Sequence, residues 1–152
     1  MKHLSSRLRA VVAIAALTAG AMGIARADHG SNSGGSKSST TTGVRLRAPL
    51  TGPAISGKTP RGEAEFRNNP ARLRSSLEVE VENVNLPAGT VLTVTLTQGT
   101  AAAVTLGTIT LNAEGEGELE LSSQDGAVIP VIVAGNVITV LNGTTNVVIG
   151  TF

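Results

Sequence analysis

The sequence predicts an all-β fold, a single Greek-key β-sandwich of about eight antiparallel strands. Apolar residues alternate with polar ones at a period of two from Val44 onward, which is the pattern of strands with one buried face. Clusters of Gly, Pro, Asn and Asp separate these segments at intervals of about 8 to 14 residues. No window with the helical period of 3.6 residues follows the first 27 residues, so a helix-containing fold is disfavoured.

The segment 1–27 is predicted to be a secretory signal peptide. It begins with three cations, Lys2, Arg7 and Arg9. An apolar run over 10–25 follows, and small residues surround the end of the segment at Ala27, as signal peptidase requires. The run is shorter than the roughly 20 residues of a membrane span. We therefore expect cleavage between Ala27 and Asp28, no membrane span in the mature chain, and a secreted or periplasmic location.

Residues 28–42 are predicted to form a flexible Gly/Ser/Thr-rich linker. Their sequence, DHGSNSGGSKSSTTT, contains no Leu, Ile, Val or Phe. Such a segment has no apolar surface whose burial could offset the entropy of ordering it. The β-sandwich domain is therefore assigned to residues 43–152.

Alternation places the strands of this domain in order along the chain. The alternating segments are 44–48, 64–66, 77–82, 92–97, 108–111, 118–121, 137–141 and 147–152. The apolar parity changes at Asn83 and at Gly107, which predicts a β-bulge at each point. Asn142-Gly143 is the strongest hairpin motif, and a turn at these two residues would place Val140 opposite Thr145.

Charge is sorted along the domain. Residues 43–74 hold seven Lys and Arg against two Glu, whereas residues 75–152 hold no cation, seven Glu and one Asp. The full-chain net charge of +1 therefore averages two opposite segments with a basic leader. The mature chain would be acidic, so the cations do not indicate nucleic-acid binding.

Two acidic rows form the candidate interaction face. The rows are Glu78, Glu80 and Glu82 on one strand and Glu116, Glu118 and Glu120 on another. Placed opposite Arg45, Arg47, Arg72 or Arg74, these carboxylates would form cross-strand ion pairs, whereas side by side they would repel one another. The first arrangement predicts a solvated face that specifies strand pairing, and the second favours a surface for a basic partner or a divalent cation.

The residue inventory disfavours catalysis. The domain has no Cys and no His, since His29 lies in the linker, and the chain has no Trp or Tyr. A His-dependent triad and a Cys nucleophile are therefore excluded from the domain. Aromatic platforms for sugars or single-stranded nucleic acid are also missing. We predict no catalytic residue, no cofactor-binding residue and no metal ligand, and we expect no cofactor.

One stretch carries a family resemblance. Leu50-Thr51-Gly52 is followed by a Pro-containing loop and then by Gly62-Glu63-Ala64-Glu65-Phe66. This order resembles the opening of the CHRD (chordin-type) domain. The chain is also similar, over most of 44–152, to short secreted bacterial β proteins that end in Gly-Thr-Phe. The resemblance implies an extracellular immunoglobulin-like sandwich and brings no catalytic residue to this chain.

The sequence thus predicts a non-enzymatic, secreted structural or protein-interaction module. Its partner would be a protein or a cell-surface component rather than nucleic acid, and its oligomeric state is left open. The alternative hypothesis is an extracellular module that binds an ion or a small ligand through the same glutamates.

Overall fold

A computed structural model describes residues 42–152 of the protein. The predicted signal peptide, its cleavage point between Ala27 and Asp28, and all of the predicted linker except Thr42 lie outside the described residues. Within them the protein is all-β, as predicted, with eight antiparallel strands and two short 3-10 turns. No helix in this part of the chain is long and apolar enough to cross a membrane.

The strands form one hydrogen-bonded sheet. Their bounds are β1 Val44–Thr51, β2 Arg61–Asn69, β3 Arg74–Glu82, β4 Val91–Thr97, β5 Val104–Thr110, β6 Gly117–Ser122, β7 Val137–Asn142 and β8 Thr145–Thr151. Their order across the sheet is β5-β4-β7-β8-β1-β2-β3-β6. The sheet curls until it is nearly barrel-shaped, and its inner side encloses a single apolar core.

The core follows from the alternation in each strand. Leu77, Val79 and Val81 of β3 point inward, as do Leu92, Val94 and Leu96 of β4. Aliphatic side chains supply nearly all of this buried set, with Phe66 as its one aromatic member. Burying a Val or Leu side chain contributes about 1.5–3 kcal/mol. Alternation therefore leaves the intervening polar side chains on the outer side of the sheet.

The sheet consists of two four-stranded halves. We call β1-β2-β3-β6 the charged half and β5-β4-β7-β8 the uncharged half, after the side chains of their strands. The ladder that joins them, between β1 and β8, has a single residue pair, Thr51 with Ile149. By contrast, β1 and β2 pair along eight residues. The two halves are thus joined by far fewer paired residues than β1 and β2 are.

Glycines allow the backbones of β1 and β8 to approach closely where the two halves join, and we call this junction a seam. A Cβ atom on Gly52 would lie 1.7 Å from the carbonyl oxygen of Val147, and one on Gly150 would lie 2.3 Å from that of Pro49. Any other residue would push β1 and β8 apart. Close backbone approach at a bend in a sheet is a recognised use of glycine.

The two edge strands, β5 and β6, face each other on the other side of the core. No ladder joins them, but a Cβ atom on Gly107 would lie 2.9 Å from Cδ1 of Leu119. In the connection between these strands, the backbone N–H of Asn112 donates to the backbone carbonyl of Glu116 at 2.8 Å. Beyond this one backbone hydrogen bond in the connection, side chains such as Leu119 fill the second seam.

The Asn142-Gly143 hairpin is present, but its predicted register is wrong. Asn142 pairs with Thr145, and Val140 lies opposite Val148 instead of Thr145. The ladder skips Val147, so β8 contains a bulge. The bulge has a physical reason: it allows two consecutive residues, Val147 and Val148, to be buried on the same side.

The two bulges predicted from parity have different outcomes. The ladder between β4 and β5 shifts beside Gly107, where Leu106 is skipped, so this bulge is confirmed. At Asn83 there is no bulge, because β3 ends at Glu82. Asn83 instead adopts a left-handed conformation with φ of 59°, and its side-chain Nδ2 donates to the backbone carbonyl of Thr59. This left-handed turn changes the inward-facing positions from odd to even residue numbers, as a bulge would.

Candidate acidic interaction face

The outer side of the charged half is a grid of ionic side chains. In β2 the outward residues are Arg61, Glu63, Glu65 and Arg67. Glu65 lies between Arg47 of β1 and Glu78 of β3, and Glu63 lies between Pro49 and Glu80. Because β3 pairs with β6, each of these rows continues to a further glutamate. In both rows the residues of β2, β3 and β6 are glutamates, and only β1 supplies a cation, Arg47.

Glu65 is the centre of an arginine cluster. It is only 7% exposed. Arg45 Nη2 donates to its Oε2 at 2.6 Å, Arg47 Nη2 lies 2.8 Å from the same oxygen, and Arg67 Nε donates to Oε1. The hydrogen bond from Arg45, reinforced by Arg67, lowers the pKa of Glu65 from 4.5 to about 2, although burial opposes this change. This carboxylate is therefore a structural anchor with no free oxygen to offer a ligand.

Two further ion pairs flank the cluster. Arg61 Nε donates to Glu82 Oε2 at 2.8 Å, and Arg47 Nη1 lies 3.2 Å from Glu63 Oε1. Their side chains are one-third to three-quarters exposed, so each pair contributes at most about 1 kcal/mol. These contacts use the arginines of β1 and β2, and none of those arginines reaches the glutamates of β6.

Four glutamates at the centre of β3 and β6 have no cation partner within residues 42–152. We call them the acidic patch: Glu78, Glu80, Glu118 and Glu120. Glu78 lies directly opposite Glu120, and Glu80 lies directly opposite Glu118. All four side chains are exposed. Like charges on directly opposite residues destabilise a sheet, so the fold maintains this patch against its own repulsion.

The pKa of Glu118 is raised in the acidic patch. Loss of hydration is the largest cause, and the negative charges of Glu78, Glu120 and Glu80 raise the pKa further. A hydrogen bond with Glu78 acts in the same direction. Glu118 therefore holds a proton more readily than an isolated glutamate does. A cation placed over the patch would relieve the same repulsion.

The predicted interaction face is brought together in part. Glu78, Glu80, Glu118 and Glu120 form the patch, whereas Glu82 is paired with Arg61. Glu116 precedes β6 and lies in the hairpin, where it lines a shallow depression with Glu80 and Glu118. Glu63 is not among the glutamates predicted for the face, although the Glu-Ala-Glu alternation of β2 indicates an outward carboxylate at this position.

The two arrangements left open by the sequence occur in different places. Arg45 and Arg47 form cross-strand ion pairs, but their partners are Glu63 and Glu65 of β2. Arg72 and Arg74 lie at the turn between β2 and β3, and no carboxylate pairs with either of them in the described part of the chain. The two predicted acidic rows lie side by side and repel one another.

The geometry of the patch suits a surface contact better than an enclosed ligand. In residues 42–152 no three Asp, Glu, His or Cys side chains converge as metal ligands would. The depressions near the patch are shallow and are lined by charged side chains of neighbouring strands. Carboxylates on a sheet surface can contact several cations of a partner at once.

Comparison with known proteins adds no relative to this description. No protein-family model, curated protein or solved structure matches the chain. The resemblance of Leu50 to Phe66 to the CHRD domain therefore stays a prediction.

Proposed function

We propose that the protein is a non-enzymatic, secreted interaction module whose acidic patch binds a cationic surface of another protein or of the cell envelope. The observation that carries this proposal is the direct opposition of Glu78 with Glu120 and of Glu80 with Glu118. Four exposed carboxylates without a cation partner in the described chain create a local negative potential, and such a potential attracts basic partners.

The rest of the charged half supports this role. Glu65 pairs with Arg45, Arg47 and Arg67, and Glu82 pairs with Arg61, so the arginines of β1 and β2 do not neutralise the patch. The patch lies on paired strands rather than on a loop, which holds its carboxylates at a regular spacing. The absence of His and Cys from the domain sequence argues for binding rather than for catalysis.

The finer fold description belongs to the same proposal. We regard the two halves as the facing layers of a β-sandwich that share one core and are joined at glycine corners. The one-pair ladder between β1 and β8 supports this view, since a uniformly closed barrel would pair its strands continuously. Export with cleavage after Ala27 is likewise proposed, and the N-terminal mass of the exported chain would test it.

The binding test uses a matched pair of double variants of the full chain. Glu80→Gln with Glu118→Gln removes two charges from the patch, and Glu114→Gln with Asp125→Asn removes two charges elsewhere. The probe is an immobilised oligo-lysine peptide. The patch variant should bind it roughly tenfold more weakly, whereas the control should bind like the parent chain. Equal binding by the two variants would contradict the proposal.

Cross-linking to the exporting cells extends this test to the natural partner, and the same two variants identify the contacts that depend on the patch.

A divalent cation is the runner-up ligand. If Ca²⁺ bound the patch, millimolar Ca²⁺ would raise the melting temperature of the parent chain by mass action and would not raise that of the patch variant. An unchanged melting temperature would eliminate the cation.

A further inference from the structure

Strand β6 ends the charged half with an edge that no ladder covers. Within residues 42–152 its one ladder is with β3. The strand β5 lies close to β6, but on its inward side. A Cβ atom on the inward Gly117 would lie 2.5 Å from Cγ2 of the buried Ile109, and the next inward residue, Leu119, packs over Gly107. Contact with β5 therefore uses the core side of β6 and leaves its hydrogen-bonding edge free of β5.

Backbone hydrogen bonds just before β6 show which of its groups face this edge. The carbonyl of Gly115 accepts from the chain that continues β3, whereas that of Glu116 accepts from the N–H of Asn112, in the connection from β5. Backbone groups point alternately to the two sides along a strand. The N–H and C=O groups of Glu118 and Glu120 therefore point away from β3, toward the uncovered edge.

The inward side chains of β6 are incompletely covered as well. Leu119 and Leu121 are only half-buried. Their partners on β3, Val79 and Leu77, are fully buried. The apolar core thus has a partly exposed margin along this edge. A further strand beside β6 would gain backbone hydrogen bonds and would also cover the margin.

Charge selects the strand that this edge accepts. Glu118 and Glu120 line its outer side, each directly opposite a glutamate of β3. The β6 edge of a second copy would bring the same glutamates and is disfavoured, because like charges on neighbouring strands repel one another. Lys or Arg at two alternate positions of an added strand would instead form the cross-strand ion pairs that the acidic patch lacks. A residue between these two cations would lie inward beside Leu119 and should be apolar.

We propose that the partner of the acidic patch is an extended segment of another protein that adds to β6 as a further antiparallel strand. The recognised pattern is a cation, an apolar residue and a second cation, with the cations opposite Glu118 and Glu120. This strand addition rests on the proposed function, because both use the same carboxylates. It requires in addition a backbone ladder and an alternating order of residues, so positive charge alone is insufficient.

Three peptides test the strand addition on the full chain. The first alternates lysine and valine over about seven residues. The second has the same composition with its lysines grouped at one end, and the third is the alternating peptide with methyl groups on the backbone nitrogens of its lysines. The alternating peptide should bind roughly tenfold more tightly than either of the others. Equal binding of all three would overturn the strand addition.

Amide hydrogen exchange measures where the peptide lies. In the free chain the amides of Leu119 and Leu121 should exchange slowly, because they face β3, whereas those of Glu118 and Glu120 should exchange fast. Saturation with the alternating peptide should slow exchange at Glu118 and Glu120 by about tenfold or more. If the peptide bound without slowing these two amides, it would not be adding as a strand.

The double variants described above separate the two proposals. Glu80→Gln with Glu118→Gln should weaken binding of the alternating peptide roughly tenfold, whereas Glu114→Gln with Asp125→Asn should not. If the parent chain binds all three peptides equally and the patch variant weakens all three, the acidic patch is a cationic contact surface and only the strand addition fails. If no peptide depends on the patch glutamates, both proposals fail.

Discussion

The two halves of the sheet share one core but present opposite surfaces to their surroundings. Each has a buried polar side chain near the centre of its outer side, Glu65 at 7% exposure in the charged half and Thr95 at 9% in the uncharged half. Glu65 is held by three arginines, whereas Thr95 makes one long hydrogen bond to a backbone carbonyl. The comparison teaches that inward alternation builds the core regardless of which polar residues face outward. The outer residues are therefore free to specify contacts.

The largest expected effect concerns the seam that joins the halves. Gly52→Ala should cost about 3 kcal/mol or more of the free energy of unfolding, because its Cβ atom would meet the carbonyl oxygen of Val147. Gly107→Ala at the other seam meets only the flexible end of Leu119 and should cost about 1 kcal/mol. Urea unfolding of both variants measures the difference. Equal costs would show that the β1–β8 seam yields as readily as the β5–β6 seam.

The next effect contrasts the two central polar residues. Glu65→Gln removes the charge that three arginines share and should cost about 1–3 kcal/mol. Thr95→Val loses a long hydrogen bond but adds an apolar group of the same shape, so its cost should stay below about 1 kcal/mol. Equilibrium unfolding at low and high salt provides the measurement, and only the Glu65 variant should lose part of its effect in high salt. A larger loss for Thr95→Val would reverse the comparison.

The smallest effect is a pH dependence that arises in the charged half alone. The pKa of Glu65 falls from 4.5 to about 2 on folding, so its stabilisation is present above pH 4.5 and is lost between pH 4.5 and 2. The pKa of Glu118 rises above 4.5, so its ionised form costs stability at neutral pH, and this cost disappears as the pH falls toward 4.5. The melting temperature should thus rise slightly on mild acidification and then decrease.

Two variants separate the contributions to this profile. Glu118→Gln should gain a few tenths of a kcal/mol at neutral pH and should lose the rise on mild acidification. Glu65→Gln should instead flatten the decrease below pH 4.5. Thermal unfolding across this pH range provides the check. If Glu118→Gln left the neutral side of the profile unchanged, crowding in the acidic patch would not be the cause.

Much of this architecture follows from local pattern. The alternation of Leu77, Val79 and Val81 with glutamates predicts both the strand and its outward face, and the structure agrees. The register of the last hairpin could not be predicted in the same way, since two adjacent valines, Val147 and Val148, are both buried. A core that accepts both requires a bulge, and the space available in the core depends on strands far away in the sequence.

The acidic patch illustrates the same limit. Its glutamates are evident in the sequence, but their neighbours are not, because β3 and β6 are separated by two strands along the chain. Had β6 paired beside β1, its carboxylates would have met Arg45 and Arg47. Glu63 was not predicted because its ion pair with Arg47 depends on the register between β1 and β2. Charge composition alone contains no information about such neighbours.

Composition and period were sufficient to establish the class of fold, the residues of the core and the outward orientation of the acidic rows, because these depend on interactions within a few residues. The strand order, the two glycine seams and the separation into a charged and an uncharged half depend on which distant strands pair. Pairing is selected by the joint packing of the whole core and by loop closure. Those are properties of the folded chain as a whole, so they become visible only in three dimensions.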